Sequence, residues 1–409
     1  MDALQPDRHA DLDWIAAILS APPIEASVTR SGAADTGGIV QTFGIFPTAA
    51  QPRLLLSLES ARAAAALLRG GSHARELRVR LGRALLRAGL RVGLAQHLLR
   101  DRLRFAAGGK GAAPGLADVL LSEHLTDVLG LSDPSFAVRL GRVRPNRKPL
   151  IQVVSREGAP VGYVKVGWNA LTRGLVAREA EVLKAVEGES HAAFAAPHVL
   201  YHGTWHDLEL LALSPLDGRL VRGGQHLGEV MTAMLEIAAL SDAEEHPLAE
   251  SPFWRSLRER IAALSESEEI ALLAMWIEAS WGRKELRFGT SHGDWTPWNM
   301  ARRNGTLAVW DWERGASGVP VGFDAAHFDV QVALAKARRD VQVALTTVLA
   351  GDGGLLPRLP DAVEPRVLVA LNLLEMTLRA AEGREAGITS EDRIYLPALS
   401  VWLAWSADG

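Results

Sequence analysis

Two carboxylates and an amide lie close together in the second half of the chain, and their types suit phosphoryl transfer. Asp294 and Asn299 are five positions apart, and Asp311 follows an apolar stretch further on. Phosphoryl transfer needs a carboxylate near the attacking hydroxyl, ligands for Mg²⁺ and a cation on the nucleotide phosphates. Asp294 can orient or accept the hydroxyl proton, while Asn299 and Asp311 can ligate Mg²⁺ through oxygen. The three residues therefore predict a phosphoryl-transfer site.

The segments around these residues also resemble a known family over about residues 135–345. His292–Asp294, followed by Asn299, resembles the catalytic-loop signature of aminoglycoside phosphotransferases and of their relatives, the choline and homoserine kinases. Asp311–Glu313 resembles that family's metal-binding motif, and Pro320–Asp324 resembles its Pro-x-x-Asp stretch, here one residue longer. The resemblance implies a catalytic first aspartate, Mg²⁺ held by the asparagine and the second aspartate, and a structural third aspartate.

The same resemblance extends to residues that would contact the nucleotide, ATP or GTP. Lys165 lies on a predicted strand where the family has the lysine that contacts the α- and β-phosphates. Glu179, on the next predicted helix, is the expected partner of this lysine, and Glu181 is the alternative on a different face of the helix. Leu140–Lys148 occupies the place of the nucleotide loop with a single glycine, and its basic residues Arg144, Arg147 and Lys148 either contact phosphates or form a basic turn.

Hydrophobic periodicity predicts the elements that must position these residues. After residue 115 the pattern indicates three strands, one helix, two strands and a mainly helical half with an embedded β segment at 287–312. This order resembles the two-lobed protein-kinase-like arrangement, an α+β fold with a small β-rich N-lobe and a helical C-lobe. The predicted elements are strands at Phe136–Leu140, Leu150–Ser155, Val161–Val166, His198–His202 and Leu208–Leu213, and helices at Thr172–Val186, Asp324–Ala350, Asp361–Ala381 and Glu391–Ala404.

Composition shifts divide the chain into three predicted regions. Residues 1–115 form an N-terminal α/β extension, 116–215 the N-lobe and 216–409 the C-lobe, with a Gly/Ala-rich linker at 106–115 as the first boundary. The extension is predicted to hold strands at Ile24–Arg30, Ile39–Phe46 and Arg53–Leu58, and helices at Ser60–Arg69 and Ser72–Arg104.

The last of these helices is rich in arginine from Arg75 to Arg104. A basic amphipathic helix either packs on a neighbouring element with a solvated face or meets an anionic lipid or another polyanion. The packed helix is the expectation, and peripheral membrane contact through Arg75–Arg104 is the alternative.

Charge and composition exclude several classes of function. The net charge of −4 gives no general attraction to nucleic acid. The chain has no cysteine, which excludes disulfides, thiolate nucleophiles and cysteine-based metal sites. The first residues lack the basic start and apolar run of a signal peptide, so a cytoplasmic location is expected.

Aromatic residues and one histidine near the site admit two interpretations each. Trp295, Trp298, Trp310 and Trp312 either form a stacking floor for a sugar or planar acceptor or pack in the core. His327, three residues after Asp324, is expected to be a packed or capping histidine.

Taken together, the sequence predicts a small-molecule kinase that transfers the γ-phosphate of ATP or GTP to a hydroxyl of a metabolite, sugar or antibiotic. The expected partners are a nucleoside triphosphate with Mg²⁺ and a small hydroxylated acceptor. The alternatives are a nucleotide-binding pseudokinase or scaffold, a membrane-associated kinase for a lipid- or glycan-linked acceptor, and a nucleotidyl transferase on the same fold.

Overall fold

The computed structural model describes residues 10–31, 38–58, 61–67, 87–89, 99–107, 115–141, 147–188, 191–216, 226–303, 305–351, 353–360, 364–385 and 394–407. The chain divides into two compact units. Unit 1 falls within Met1–Ala177 and Val199–Pro215, and unit 2 within Arg178–His198 and Leu216–Gly409.

The described strands and helices are numbered in chain order. The strands are β1 (Ile24–Arg30), β2 (Ile39–Thr48), β3 (Gln51–Ser57), β4 (Asp101–Ala107), β5 (Ser135–Arg139), β6 (Leu150–Val154), β7 (Pro160–Gly167), β8 (Phe194–Ala195), β9 (Val199–Trp205), β10 (Leu208–Leu213), β11 (Glu244–Pro247), β12 (Glu285–Ser291), β13 (Met300–Arg303), β14 (Thr306–Val309) and β15 (Ala316–Pro320). The helices are α1 (Ala10–Leu19), α2 (Ala61–Leu67), α3 (Leu116–Val119), α4 (Leu121–Val128), α5 (Ala170–Glu187), α6 (Leu227–Ala238), α7 (Pro252–Ala263), α8 (Glu268–Trp281), α9 (Phe323–Lys336), α10 (Val341–Ala350), α11 (Pro365–Glu385) and α12 (Tyr395–Ala407).

Unit 1 is built on a nine-stranded sheet in which all neighbouring strands are antiparallel. The strand order is β1-β4-β2-β3-β5-β6-β7-β10-β9. The predicted order of three strands, one helix and two strands is found as β5, β6, β7, α5, β9 and β10. The N-terminal strands continue the same sheet, because β3 pairs with β5 and places Leu55 opposite Val138. The predicted α+β fold class is confirmed, and the division at residue 115 stays a prediction.

Apolar residues on both faces of this sheet are buried under helices. Leu55 belongs to a core cluster with Leu12 of α1, whereas its neighbours Leu54 and Leu56 belong to a second cluster with α2. Successive side chains of a strand point to opposite faces, so the apolar run Leu54–Leu56 can contribute to both cores.

The end of the predicted helix Ser72–Arg104 is wrong, because residues 101–107 form strand β4. Leu103 and Phe105 are buried, while Arg102 and Arg104, which alternate with them, are only half-buried. This alternation has the two-residue period of a strand, and it competes with the 3.6-residue period that the preceding leucines suggest. The arginine-rich part before it lies outside the described residues, apart from residues 87–89 and 99–100.

A buried arginine fixes helix α1 within unit 1. The Nη1 of Arg147 lies 2.6 Å from Oδ1 of Asp11, and its guanidinium lies 4.4 Å from the ring centroid of Trp14. Trp168 donates its indole N–H to the carbonyl of Arg147 at 2.7 Å and packs edge-on against Trp14. The guanidinium of Arg147 therefore binds α1, a contact that neither the expected phosphate contact nor the expected basic turn included, and Arg144 lies outside the described residues.

Unit 2 combines helices α6 to α12 with two small sheets, ordered β11-β12-β15 and β13-β14-β8. The helix predicted at Asp324–Ala350 is wrong in its middle, because the chain forms α9 and α10 with a break between them. Arg338 and Arg339 have φ values of 51° and 70°, and the Asp340 carboxylate accepts the N–H of Val343 to cap α10. No described helix is both long and apolar enough to cross a membrane.

Replacing Arg147 should loosen α1. We expect Arg147→Ala to lower the free energy of unfolding by about 2 kcal/mol, because it removes a charge-assisted hydrogen bond and a cation–π contact from a desolvated position. Denaturant unfolding measures this. The matched control is Arg156→Ala, which breaks an ion pair with Asp133 whose side chains are 71% and 76% exposed, and which should change little. Equal effects of the two changes would contradict the assignment.

Candidate active site

The loop that follows β12 is shaped by one buried carboxylate. Asp324, in the first turn of α9, accepts hydrogen bonds from Ser291 Oγ at 2.8 Å, from the His292 N–H at 2.7 Å and from the Gly293 N–H at 3.0 Å. Its side chain is almost fully buried. A carboxylate can accept several bonds at once, so it pairs backbone donors that would otherwise be buried unsatisfied. Asp324 thus takes the structural role that the resemblance implies.

Glycine is required at the centre of this loop. Gly293 has a φ of 75°, and a Cβ placed on it would lie 2.1 Å from the carbonyl oxygen of Arg314. The left-handed conformation is unfavourable for other residue types, and the close approach leaves no room for a Cβ. The backbone therefore turns sharply just before Asp294.

Asp294 is held from two sides. Its Oδ1 accepts a hydrogen bond from His327 Nε2 at 3.0 Å, and its Oδ2 accepts one from Asn299 Nδ2 at 2.9 Å. Burial raises the pKa of Asp294, but the hydrogen bond from His327 and the nearby guanidinium of Arg379 hold it below its usual value. The side chain remains 34% exposed. Asp294 is thus an ionised, oriented carboxylate with access to solvent.

Carboxylates suited to a metal ion meet just after strand β14, which pairs with β13. Carboxylate oxygens of Glu179, Asp311 and Glu313 lie within 4.8 Å of one another. Glu179 is buried, and its Oε1 accepts the N–H of Trp312 at 3.2 Å. Oxygen donors of this kind fit Mg²⁺.

Asn299 can add a neutral oxygen on the same side. Its Nδ2 is used by the side chain and the carbonyl of Asp294, whereas its Oδ1 accepts no hydrogen bond from the described residues. Its backbone carbonyl accepts the N–H of Trp310, which places the turn Pro297–Asn299 beside the residue that precedes Asp311. The oxygen of Asn299 therefore suits a cation.

The structure brings together some of the predicted site residues. Asp294 and Asn299 are hydrogen-bonded, and Asp311 lies near Glu179 in unit 2. Lys165 lies in unit 1, half-buried on β7, and its pairing with Glu179 stays a prediction. The alternative partner Glu181 is exposed.

The four tryptophans do not act as one stacking floor. Trp295 and Trp312 are fully buried and pack on the ring of His292, with centroids 5.7 Å and 4.7 Å away. Burial, opposed by nearby carboxylates, lowers the pKa of His292. The ring donates from Nε2 to the carbonyl of Trp310 and accepts the Asp294 N–H on Nδ1. Within this group only Trp298, 43% exposed, offers a large face to solvent.

Sequence reasoning missed three residues that support the loop. His327 was expected only to pack or cap, but it contacts Asp294. Its spacing of three residues from Asp324 places both on one face of α9, which was the available signal. Asn372 and Arg379 come from α11, far along the chain, and nothing in their local sequence points to the site.

Arg379 belongs to a buried ion network under the loop. Its Nη1 donates to the carbonyl of Gly293 at 3.0 Å, and its Nε donates to Glu375 at 2.6 Å. Glu375 also accepts from Arg260 at 2.7 Å, and Arg260 makes a two-pronged bond to Glu382. Burial raises the pKa of Glu375, but the two arginines hold it below its usual value. The loop after β12 is thus held at Gly293 by an arginine whose charge is paired with Glu375.

Several solved structures are similar to this chain at low sequence identity. No family model and no curated protein matches the chain. A thermostable mutant of aminoglycoside phosphotransferase APH(4)-Ia is similar to it in structure, with 15% identity, 70% of this chain and 99% of that chain covered, and a TM-score of 0.48. Amicoumacin kinase in complex with AMP-PNP, Ca²⁺ and Ami has 10% identity, coverages of 66% and 88%, and a TM-score of 0.41. At these identities the similarity concerns the fold and carries nothing about activity or substrate.

Changing Glu375 should destabilise the protein in a pH-dependent way. Glu375→Gln leaves Arg379 without a carboxylate partner and leaves Arg260 with Glu382 alone, so we expect a loss of about 3 kcal/mol in the free energy of unfolding at pH 7. Because folding lowers the pKa of Glu375, its stabilisation is full above the unfolded pKa of about 4.3 and is lost as the pH falls below it. Unfolding at several pH values should show the variant and the wild type converging in acid.

The matched control for this change is Glu382→Gln. Glu382 pairs with the same arginine but is 37% exposed, so its removal should cost less than about 1 kcal/mol. A deficit of Glu375→Gln that stays constant down to pH 3 would contradict the buried ion pairs.

Changing Asp324 should release the loop specifically. Asp324→Asn leaves backbone donors unpaired, which costs about 1–3 kcal/mol, and should speed amide hydrogen exchange at His292 and Gly293. The control is Asp329→Asn on the same helix, since buried Asp329 accepts the N–H groups of Leu355 and Leu356. It should destabilise comparably.

The two variants differ in where exchange accelerates. Asp329→Asn should speed exchange at Leu355 and Leu356 and leave the amides of the loop after β12 protected. Loop exchange that is unchanged in Asp324→Asn would contradict the role of this carboxylate.

Proposed function

We propose that the protein is a small-molecule kinase that transfers the γ-phosphate of ATP or GTP to a hydroxyl group. The observation that carries the proposal is the paired arrangement of Asp294 and Asn299, with the carboxylate ionised, oriented from both sides and open to solvent. An acceptor hydroxyl can donate to such a carboxylate, which aligns its oxygen for attack and receives its proton.

The remaining residues have distinct roles in this proposal. Asn299, through Oδ1, and Asp311 hold Mg²⁺, with Glu179 and Glu313 close enough to adjust the charge of the site. When bound, Mg²⁺ neutralises charge on the phosphate oxygens. Lys165 contacts the nucleotide phosphates, and Glu179 orients it.

The chemistry of the acceptor follows from what surrounds Asp294. Trp298 offers an exposed indole a few residues along the loop, which suits an acceptor with an apolar or sugar face. We therefore propose an uncharged or cationic hydroxylated small molecule, and the donor is either ATP or GTP.

The test is acceptor-dependent turnover. Purified protein with Mg²⁺ and ATP or GTP is incubated with pooled hydroxylated metabolites, sugars and antibiotics, and products are identified by mass. We expect an acceptor that gains one phosphoryl group. Asp294→Asn should reduce the rate by about 10²–10⁴-fold, as expected for loss of a positioned base.

A control variant and a variant of the proposed metal site accompany this test. Asp133→Asn alters an exposed aspartate of unit 1 and should leave the rate unchanged. Asp311→Asn should raise the Mg²⁺ concentration needed for half-maximal rate. A product that gains a nucleotide instead of a phosphoryl group, or a rate that survives Asp294→Asn, would contradict the proposed reaction.

A further inference from the structure

A chain of buried polar side chains lies behind Asp294 and continues beyond its contact with His327. His327 Nε2 lies 3.0 Å from Asp294 Oδ1, and Asn372 Nδ2 lies 3.1 Å from His327 Nδ1. His327 is 1% exposed and Asn372 is fully buried. Two long helices, α9 and α11, deliver these residues to one line that ends on the carboxylate.

The direction of the hydrogen bonds fixes the form of the ring. The amide nitrogen of Asn372 can only donate, so His327 Nδ1 must accept. The single ring proton then lies on Nε2 and is donated to Asp294. His327 is neutral in this arrangement, and its proton points at the carboxylate.

The amide of Asn372 could in principle be turned around. Its Oδ1 would then face the ring and accept a proton from Nδ1, which makes His327 an imidazolium. This rotation of the amide would not improve hydrogen bonding. In the present orientation Asn372 Oδ1 lacks a partner, and in the rotated one Nδ2 would lack a partner. The rotation would place a full charge on a ring that is 1% exposed, where the cost of desolvation opposes the attraction of Asp294. The neutral ring is therefore the favoured state.

We propose that His327 and Asn372 form a positioning pair, in which Asn372 keeps His327 neutral with its proton on Nε2 and His327 holds Asp294 in the orientation needed to receive the acceptor's proton. The catalytic consequence rests on the proposed function, whereas the hydrogen-bonded state of the ring does not. An imidazolium at the same place would hold the carboxylate proton-poor and make it a weaker base.

Substitutions that keep or remove the donor separate positioning from packing. His327→Gln retains an N–H at about the reach of Nε2, while His327→Leu fills similar space without a donor. Asn372→Asp replaces the donor to Nδ1 by an acceptor and should draw a second proton onto the ring. Thermal unfolding of each variant reports any loss of folding separately.

The direct test is nitrogen NMR of the full chain labelled with ¹⁵N-histidine at pH 7.5. The signal of His327 is assigned as the one missing in His327→Gln. We expect a neutral ring whose Nε2 proton exchanges slowly with water. In Asn372→Asp both ring nitrogens should carry protons. A wild-type ring protonated on Nδ1, or an Nε2 proton that exchanges freely, would overturn the proposal.

The kinetic test uses the acceptor found by pooled screening. We expect kcat to fall by about 10²-fold in His327→Leu and by less than about 10-fold in His327→Gln, with KM for the nucleotide unchanged in both. Equal kcat values in the two variants would overturn the positioning role. If no acceptor is turned over, the kinase proposal fails while the NMR result still decides the state of His327.

Discussion

The candidate site depends first on the carboxylate of Asp324. It accepts the N–H groups of His292 and Gly293 and the hydroxyl of Ser291, so the end of β12 cannot continue as a strand. Gly293 completes the turn by packing against the carbonyl of Arg314 with no room for a side chain. Because an unpaired buried donor costs more than a formed hydrogen bond gains, this arrangement has few alternatives of similar energy. The position of the next residue, Asp294, follows from it.

A second layer of support comes from α11, and it acts on both the backbone and the side chain of the loop. Arg379 binds the carbonyl of Gly293, while Asn372 reaches Asp294 through His327. The carboxylate of Glu375 is buried, and it is paired with Arg379 and Arg260. Buried ion pairs contribute little net stability but lose much when one member is removed. Such a layer therefore serves geometry more than stability.

The sequence predicted helices and strands well where the hydrophobic residues followed a single spacing, either that of a helix or that of a strand. The strands at Ile24–Arg30 and Leu208–Leu213 were predicted with the bounds that the structure has. Strand β4 was missed because its alternation of arginines with Leu103 and Phe105 follows directly after an arginine-rich run with helical spacing. The break between α9 and α10 depends on the cap formed by Asp340, a local signal that the apolar pattern overrode.

For the site, local motifs predicted Asp294, Asn299 and Asp311. The contacts of His327 with Asn372, and of Arg379 with Gly293, join distant segments that a single sequence does not pair.

The central claim is that Asn299 and Asp311 bind a metal–nucleotide and present it to Asp294. A crystal structure with Mg²⁺ and AMP-PNP tests this most directly. We expect Mg²⁺ to lie about 2.1 Å from Asn299 Oδ1 and from a carboxylate oxygen of Asp311, with the γ-phosphate facing Asp294. Nucleotide bound elsewhere, or Mg²⁺ held without Asp311, would contradict it.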